Sequence, residues 1–385
     1  MKRGKRRRLP IVLMALGACI ALAALGMLSR TPGVLQYCAT APAPGEKGES
    51  YRKLNDDARK LDASMKDALA WVAAGGAASS VSVSAGGKSA EAALWAVGEG
   101  WLEVYPRFLT QGRRIGESEL QSGARVAMLD ADLAFQLFGE ELPENAAVKL
   151  DDVEFRVVGA VRHAGSSFGG RGVGDAQRYD IYIPLLAAGG AEFPLEAVTL
   201  SAQPTGNGAG AAQLFEEAAG QWQSGGELVN LKKEAMRRTI LPRIMLLIAG
   251  LYAIVGLFRR MTDLAARRIE AFKADLSQSY FKALIPQLLG LIGLILLGYG
   301  ALIGLTYLLL VFSAQPLYVF TEWVPENIVE WSSISKVFWS LTADAARLVR
   351  VGTRELRVVE FWGGLARWGT ALFLLGAALR GRKAE

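Results

Sequence analysis

The chain has 385 residues, of which 51% are hydrophobic, and its 43 basic and 37 acidic residues give it a formal net charge of +6. The basic residues concentrate beside long apolar segments, at Lys2 to Arg8, Arg259 to Arg268 and Arg380 to Lys383. This pattern is typical of membrane proteins and argues against a nucleic-acid-binding surface. Two cysteines and one histidine also argue against a disulfide framework and the usual zinc ligand sets.

The N-terminal segment reads as a cytoplasmic basic stretch, residues 1–8, followed by a first membrane span at 9–28. About 20 apolar residues suffice to cross a hydrocarbon core about 30 Å thick. The sequence "LGAC" ending at Cys19 resembles a lipoprotein processing site. Because the apolar run continues beyond Cys19, we favour an uncleaved anchor, and lipidation of Cys19 stays an open alternative.

Residues 29–239 are polar enough to form a large extracytoplasmic domain of the α+β class. Its first element is an amphipathic helix predicted over residues 51–74, with an apolar stripe at Leu54, Ala58, Leu61, Met65, Leu69 and Val72. Short strands are predicted at 80–85, 92–97, 124–129, 146–150, 153–161, 179–186, 195–202 and 226–231. A glycine-rich loop covers 163–177, and a helix is predicted at 210–222.

A second short helix is predicted directly after the strand at 124–129. Asp130 is placed to cap its N-terminus, because a carboxylate accepts hydrogen bonds from the first free backbone amides. Gly139 is placed to end it.

Three further membrane spans are predicted at 240–258, 283–312 and 365–379, so that the domain is mounted on four transmembrane α-helices. The connecting segments are a cytoplasmic loop at 259–282, an extracytoplasmic loop at 313–364 and a cytoplasmic tail at 380–385. We expect close helix contacts at four glycines of the third span: Gly290, Gly293, Gly300 and Gly304. We also expect Arg243 to reach out to the membrane interface and Tyr299 to be a packing residue.

One feature disagrees with this topology, because basic residues favour the cytoplasmic side, yet the predicted outer loop carries four arginines: Arg347, Arg350, Arg354 and Arg357. An amphipathic helix over 336–351 has two equally good interpretations. It lies on the outer membrane surface, or it packs on the extracytoplasmic domain.

The order of motifs in the outer domain carries a family resemblance. A Gly112-Arg113 turn is followed by a strand at 126–129, a helix ending in Leu-Phe-Gly at 137–139, a hairpin strand at 155–161 and a strand ending in Tyr-Ile-Pro at 182–184. This order resembles the periplasmic core domain of MacB-like ABC transporter permeases, which are related to FtsX and to the lipoprotein-export permeases. The resemblance implies an inserted lobe at about 91–194.

The resemblance further implies a multi-pass protein of the bacterial inner membrane that acts as a permease subunit. Its implied partners are a separate cytoplasmic ABC ATPase, a second permease in a homodimer or heterodimer, and membrane lipid. ATP-driven movement would be transmitted mechanically to the outer domain. The chain itself is expected to be a non-catalytic subunit with no cofactor, no metal site and no catalytic residue, and its sequence has no phosphate-binding loop.

The cytoplasmic loop departs from the family pattern. Arg267, Arg268 and Glu270 align with the family's coupling signature, and Phe272 and Lys273 follow, but the Ile-Gly and Ala-hydrophobic-Gly portions are missing. These five residues are our candidate ATPase-coupling segment. The alternative is a basic helix that only anchors the chain in anionic lipid. In that case the protein is a membrane-anchored scaffold or sensor that has lost ATPase coupling.

Overall fold

The chain is described here by a computed structural model. The described residues are 2–41, 47–163, 179–191, 193, 195–205, 209–222, 226–276, 281–319, 330, 332–333, 335–336 and 353–381. The chain divides into two compact units. The spanning unit comprises Met1–Gly26, Arg237–Glu326 and Leu365–Glu385, and the outer unit comprises Met27–Met236 and Asn327–Gly364.

The outer unit is built on one ten-stranded sheet. In chain order, the strands are β1 (Leu35–Thr40), β2 (Leu69–Ala85), β3 (Lys88–Val97), β4 (Arg107–Gly112), β5 (Val126–Asp130), β6 (Ala147–Leu150), β7 (Val153–His163), β8 (Tyr179–Pro184), β9 (Ala197–Pro204) and β10 (Glu227–Asn230). Their order across the sheet is β10-β1-β9-β2-β3-β8-β5-β7-β4, and β6 pairs with β2 and β7. Strand β4 is therefore at one edge.

Ten helices are described in these parts of the chain. They are α1 (Lys2–Leu28), α2 (Lys47–Ser64), α3 (Trp101–Val104), α4 (Glu117–Ser122), α5 (Ala131–Phe138), α6 (Leu185–Gly190), α7 (Ala209–Trp222), α8 (Leu231–Leu276), α9 (Phe281–Val319) and α10 (Arg354–Gly381). Mixed helices and strands in one sheet-based unit confirm the α+β prediction for the outer domain.

Buried apolar side chains of the central strands point to both faces of the sheet. Leu94 and Ile181 belong to the larger core cluster, which also takes in buried residues of α2, α5, α6 and α7. Trp95 and Tyr182, their next neighbours along the chain, belong to a second cluster with Trp101. Successive side chains of a strand point to opposite faces, so each central strand supplies both clusters.

The local signals around α5 are confirmed. The Asp130 carboxylate accepts a hydrogen bond from the Asp132 amide at 3.0 Å, and Gly139 ends the helix with its amide donating to the Phe135 carbonyl. Gly112 has a φ of 71°, and a Cβ there would collide with the Val158 carbonyl. The turn predicted at Gly112 therefore requires glycine.

The predicted helix at 51–74 is wrong in its second half. Helix α2 ends at Ser64, and Leu69 begins β2, which pairs with β9 from Leu69 to Ala77. Leu69 and Val72 are buried as the helical stripe required. Both side chains are buried as part of a strand. Apolar residues three apart normally indicate a helix, but they can also share one face of a strand that contains a register irregularity, as β2 does between Leu69 and Trp71.

Three described helices of the chain are long and apolar enough to cross a membrane: Leu9–Leu28, Leu231–Ala274 and Leu288–Gln315. These correspond to the first three predicted spans. Helix α10 does not meet that criterion, since Arg367 interrupts its apolar part. The fourth span therefore remains a prediction.

Glycines do bring helices of the spanning unit together, but at other positions than expected. A Cβ on Gly17 would lie 2.5 Å from the Phe373 amide nitrogen, and one on Gly369 would lie 2.8 Å from the Ala21 nitrogen, so α1 and α10 are in backbone contact. At the four glycines expected to pack, an added Cβ would meet nothing within 4 Å from another part of the described chain: Gly290, Gly293, Gly300 and Gly304.

Arg243 also differs from expectation. It is 4% exposed, and it donates to Thr239 Oγ1 at 3.1 Å, to Gln315 Oε1 at 3.1 Å and to the Phe312 carbonyl. The side chain thus joins α8 to α9 and is buried between them rather than extended outward. Tyr299 packs on Phe258, as a packing residue should, with ring centroids 5.5 Å apart.

Several predicted features lie outside the described residues. They are the glycine-rich loop from residue 164 onward, Arg347, Arg350, and nearly all of the predicted amphipathic helix at 336–351. The proposed inserted lobe at 91–194 also stays a prediction, since the sheet continues without interruption through β3 and β8.

Candidate functional site

A cluster of buried charges lies on the Trp95 face of the sheet. Its strand residues are placed by alternation: Asp180 precedes Tyr182 by two positions on β8, and Asp130 follows Met128 by two positions on β5. Arg107 begins the edge strand β4. All three are at least 94% buried, so each requires an opposite charge or hydrogen bonds nearby.

The first turn of α10 supplies the complementary charges. Arg354 Nη1 lies 2.5 Å from Asp130 Oδ2 and 3.5 Å from Asp180 Oδ2. Arg357, three residues later, places Nη2 3.3 Å from Asp180 Oδ1. Residues three apart lie on the same side of a helix, so one edge of α10 meets both aspartates.

Asp180 has a third partner in the aromatic core. The Trp95 indole Nε1 donates to Asp180 Oδ1 at 3.2 Å. Trp95 and Asp180 are 6% and 1% exposed, so this bond is shielded from water. One oxygen of this carboxylate accepts hydrogen bonds from Trp95 and Arg357, and the other forms an ion pair with Arg354, so the carboxylate is held in one position.

The Arg107 guanidinium joins the second half of the cluster. Its Nη1 lies 2.6 Å from Glu355 Oε1, and its Nε donates to the Tyr182 hydroxyl at 3.1 Å. The guanidinium carbon also lies 5.3 Å from the centroid of the Trp101 ring and 5.7 Å from that of Tyr182. Arg107 therefore ties edge strand β4 to α10 through a charge pair and to the aromatic core through its planar face.

Electrostatics keep these arginines charged. Burial alone would lower the pKa of Arg107, but the negative charge of Glu355 and the interactions with Tyr182 together outweigh burial and raise the pKa above its ordinary value. The same balance holds for Arg354, whose pKa is raised by Asp130 and Asp180 against the opposing effect of burial. Burial raises the pKa of Tyr182, so its hydroxyl stays protonated.

The cluster is electrically balanced. It holds three carboxylates and three guanidiniums, listed together as Asp130, Asp180, Glu355, Arg107, Arg354 and Arg357. Among the described residues, no group of three or more His, Cys, Asp or Glu side chains has the geometry to hold a metal ion. Five of the six charges are buried and Arg357 is 25% exposed. Such an internally compensated set is suited to fix the orientation of α10 on the sheet, since a misplaced α10 would leave unpaired charges. We call these six residues the α10 anchor.

The predicted coupling segment lies elsewhere, on the last turns of α8. Arg267, Arg268, Glu270 and Lys273 are exposed, and Phe272 is partly exposed. None of the four charged residues forms an ion pair with another residue that the structure describes. The segment is continuous in the chain with the second predicted span, because α8 has no break between Leu231 and Leu276.

Sequence reasoning noticed half of the anchor and missed the other half. Arg354 and Arg357 stood out as arginines on the wrong side of the membrane. Asp180 carried a detectable signal, since it is a charged residue inside the otherwise buried pattern "YDIYIP" of β8. Arg107 and Glu355 were not singled out by the sequence, although Arg107 stands between Pro106 and Phe108.

Sequence comparison identifies the family. Residues 12–218, more than half of the chain, match the model of the MacB-like periplasmic core domain. The chain therefore belongs to this family and is a permease-type membrane protein of an ABC transporter family with an extracytoplasmic domain. No curated protein matches it in sequence.

Three solved domains are similar to part of the chain. The extracellular domain of the noncanonic ABC-type transporter YknZ from Gram-positive bacteria is 16% identical, covering 51% of this chain and 100% of that one, with a TM-score of 0.37. The periplasmic region of MacB from Actinobacillus actinomycetemcomitans is 18% identical, covering 55% and 94%, with a TM-score of 0.40. A domain of a putative permease protein from Porphyromonas gingivalis is 11% identical, covering 52% and 88%, with a TM-score of 0.31.

Proposed function

We propose that this protein is the permease subunit of an ABC complex of the MacB/FtsX type. It couples a separate cytoplasmic ATPase to its extracytoplasmic domain by mechanical transmission. In this proposal it crosses the bacterial inner membrane four times, contacts membrane lipid, and pairs with a second copy or a second permease. The observation that carries the proposal is the α10 anchor.

The anchor supports transmission because it fastens a helix to the sheet by side chains rather than by chain connection alone. Arg354, Glu355 and Arg357 all belong to the first turn of α10. A shift of that turn by one residue would separate Arg354 from Asp130 and leave charges buried without partners, at a cost of several kcal/mol, roughly 3–5. A displacement of α10 is therefore expected to move β4, β5 and β8 with it.

Chain continuity supports a second connection. Strand β10 ends at Asn230 and α8 begins at Leu231, with no loop between them. The Leu231 amide donates to the Val34 carbonyl at 3.0 Å, just before β1. The same helix carries the candidate coupling residues at its other end, so a force applied at Arg268 has a continuous helical route to the outer sheet.

Packing within the spanning unit supports the fourth span. Residues from Leu365 onward belong to this unit, together with α1 up to Gly26. The backbone contacts at Gly17, Gly369 and Gly376 are of the kind that small residues permit between membrane helices. The Arg367 side chain is exposed, and its length allows the charged end to reach the interface.

The test is association with the ATPase. The full chain, produced from its native locus with an affinity tag, is expected to retain a subunit with Walker-type motifs. Reversing two charges of the coupling segment, Arg268→Glu with Glu270→Lys, is expected to reduce the retained ATPase at least tenfold. The matched control, Arg260→Glu with Asp263→Lys, changes two exposed charges earlier on the same helix and is expected to retain it.

Two outcomes would overturn the proposal. One is purification with no ATPase under conditions that keep the chain folded. The other is a phenotype that survives scrambling of residues 259–276, which would favour a scaffold or sensor that no longer depends on an ATPase.

A further inference from the structure

Helices α8 and α9 both contain a proline close to the point where Arg243 joins them. Pro242 lies inside α8, directly before Arg243, and Pro316 lies inside α9, directly after Gln315. A proline has no amide hydrogen, so it cannot donate to the carbonyl four residues earlier in a helix. In α9 that carbonyl belongs to Phe312. The Phe312 carbonyl therefore needs a donor from outside its own helical ladder.

Arg243 of the neighbouring helix supplies that donor. Its Nη1 donates to the Phe312 carbonyl, its Nη2 donates to Gln315 Oε1 at 3.1 Å, and its Nε donates to Thr239 Oγ1 of its own helix at 3.1 Å. Phe312 and Gln315 are three residues apart on one side of α9, so one planar guanidinium reaches both. The guanidinium carbon also lies 4.6 Å from the centroid of the Phe312 ring. Arg243 thus contacts the backbone and two side chains of a single turn of α9.

The burial of an arginine at this position is costly, which indicates that its hydrogen bonds matter. Arg243 is 4% exposed, and among the described residues no carboxylate forms an ion pair with it. Both helices contain stretches long and apolar enough to cross a membrane, and charged side chains are rare in such stretches. An apolar side chain would pack between α8 and α9 at a lower cost, but it could not donate to the Phe312 carbonyl.

Contacts further along the same pair of helices are of a different kind. Tyr299 packs on Phe258 with ring centroids 5.5 Å apart, and its hydroxyl shares a hydrogen bond of 3.1 Å with the Thr262 hydroxyl. These contacts join side chain to side chain and leave the helical ladder of α9 as it is. Arg243 acts on the α9 backbone itself, at the position where Pro316 interrupts that ladder.

We propose that Arg243 is a positioning residue that fixes α9 to α8 at the two prolines. A proline in a helix interior removes a hydrogen bond and favours a bend at that position. Because Arg243 binds across the interruption in α9, a bend of α8 at Pro242 also displaces α9 at Pro316. The part that this displacement plays in transmission rests on the proposed function, whereas the pairing of Arg243 with the Phe312 carbonyl does not.

Thermal unfolding of the full chain in detergent tests the hydrogen bond through a double-mutant cycle. Arg243→Met removes the donors and is expected to lower Tm by roughly 2–4 °C. Pro316→Ala provides an amide that can donate to the Phe312 carbonyl, so it is expected to raise Tm more in the Arg243→Met chain than in the unaltered chain. The matched control is Pro286→Ala in the same helix, which provides a donor for the Lys282 carbonyl and is expected to change Tm equally in both chains.

Distances between spin labels in lipid nanodiscs test the positioning. Labels are attached to Leu241→Cys and Val311→Cys, at positions that are 47% and 50% exposed, in a chain whose exposed Cys19 is changed to serine. The chain with Arg243 is expected to give one narrow distance distribution. Arg243→Met is expected to broaden it roughly twofold, since the two helices then move separately. Adding Pro316→Ala is expected to restore Tm but not the narrow distribution, because it repairs the α9 backbone without rejoining the helices.

Three results would contradict the role of Arg243: equal Tm gains from Pro316→Ala in both chains, an unchanged distance distribution in the Arg243→Met chain, or a narrow distribution regained through Pro316→Ala. If Arg243→Met does not yield a folded chain, Arg243→Gln, which is polar but shorter, enters the same measurements with the same expectations. Both measurements use the chain without an ATPase. A failure of the proposed function, seen as purification with no ATPase, would therefore leave these results unchanged.

Discussion

Arg354 at the start of α10 forms an ion pair with Asp130 at the end of β5, across 224 positions of the chain. Asp130 carries out two tasks at once. One carboxylate oxygen accepts the Asp132 amide and caps α5, and the other accepts Arg354. A substitution at Asp130 is therefore expected to affect both the N-terminus of α5 and the packing of α10 on the sheet.

The anchor predicts a large stability loss on removal of one partner. Arg354→Met leaves Asp130 and Asp180 buried with less compensation, so the free energy of unfolding is expected to fall by about 3–5 kcal/mol. The control Arg113→Met removes an ion pair with Glu119 whose arginine is 53% exposed, and it is expected to cost about 0–1 kcal/mol. Urea unfolding of the full chain in detergent measures both, and equal losses would contradict a buried anchor.

Trp95→Phe tests the third bond to Asp180. The substitution keeps an aromatic ring in the core but removes the indole donor, leaving a buried acceptor with one bond fewer. We expect a loss of about 1–3 kcal/mol. Trp71→Phe, at a site that is 45% exposed, serves as the control and is expected to change stability little. If both variants unfold alike, the Trp95–Asp180 bond contributes nothing measurable.

The contact between α1 and α10 predicts that substitutions at two glycines of α10 differ in their effect on thermal stability. Gly369→Ala would place a Cβ 2.8 Å from the Ala21 nitrogen and from the Gly17 carbonyl oxygen, whereas a Cβ at Gly364 would meet no atom within 4 Å. Overpacking typically costs about 1–3 kcal/mol. Thermal unfolding in detergent is expected to show a lower Tm for the Gly369 variant only. A normal Tm for it would mean that the two helices are not in backbone contact.

Acid sensitivity is predicted at the start of α4. The hydrogen bond from Arg113, together with the Gly116 amide, lowers the pKa of Glu119 from 4.5 to about 2. A depressed pKa contributes stability that is present above pH 4.5 and is lost as the pH falls toward 2.

The measurement compares Glu119→Gln with the unaltered chain by urea unfolding across that pH range. The unaltered chain is expected to be more stable above pH 4.5, with the difference vanishing near pH 2. Glu117→Gln, in the same turn, is the matched control for the loss of one carboxylate. A difference independent of pH would rule out the charge of Glu119 as the cause.

Reporter fusions at residues 45, 270, 340 and 385 test the predicted membrane topology. We expect extracytoplasmic signals at 45 and 340 and cytoplasmic signals at 270 and 385, because the basic segments at Arg259 to Arg268 and Arg380 to Lys383 favour the inside. A cytoplasmic signal at 340 would eliminate the fourth span and would contradict a permease with four spans.

The amino-acid sequence by itself determined the features that depend on neighbouring residues. Span length, the cap at Asp130, the stop at Gly139 and the turn at Gly112 all follow from local composition and backbone preference. Apolar spacing correctly marked Leu69 and Val72 as buried, but it assigned them to a helix, since only pairing with β9 distinguishes the two geometries.

Tertiary structure decided everything that joins distant parts of the chain. Three features depend on contacts between segments that are far apart in sequence. They are the carboxylates that pair with Arg354 and Arg357, the glycines that contact another helix, and the strand at the edge of the sheet. The sequence around a charged residue does not identify its ion-pair partner, and the sequence of a strand does not identify its position in the sheet. Two of the four arginines that looked misplaced in a loop, Arg354 and Arg357, form ion pairs in the folded chain with Asp130 and Asp180.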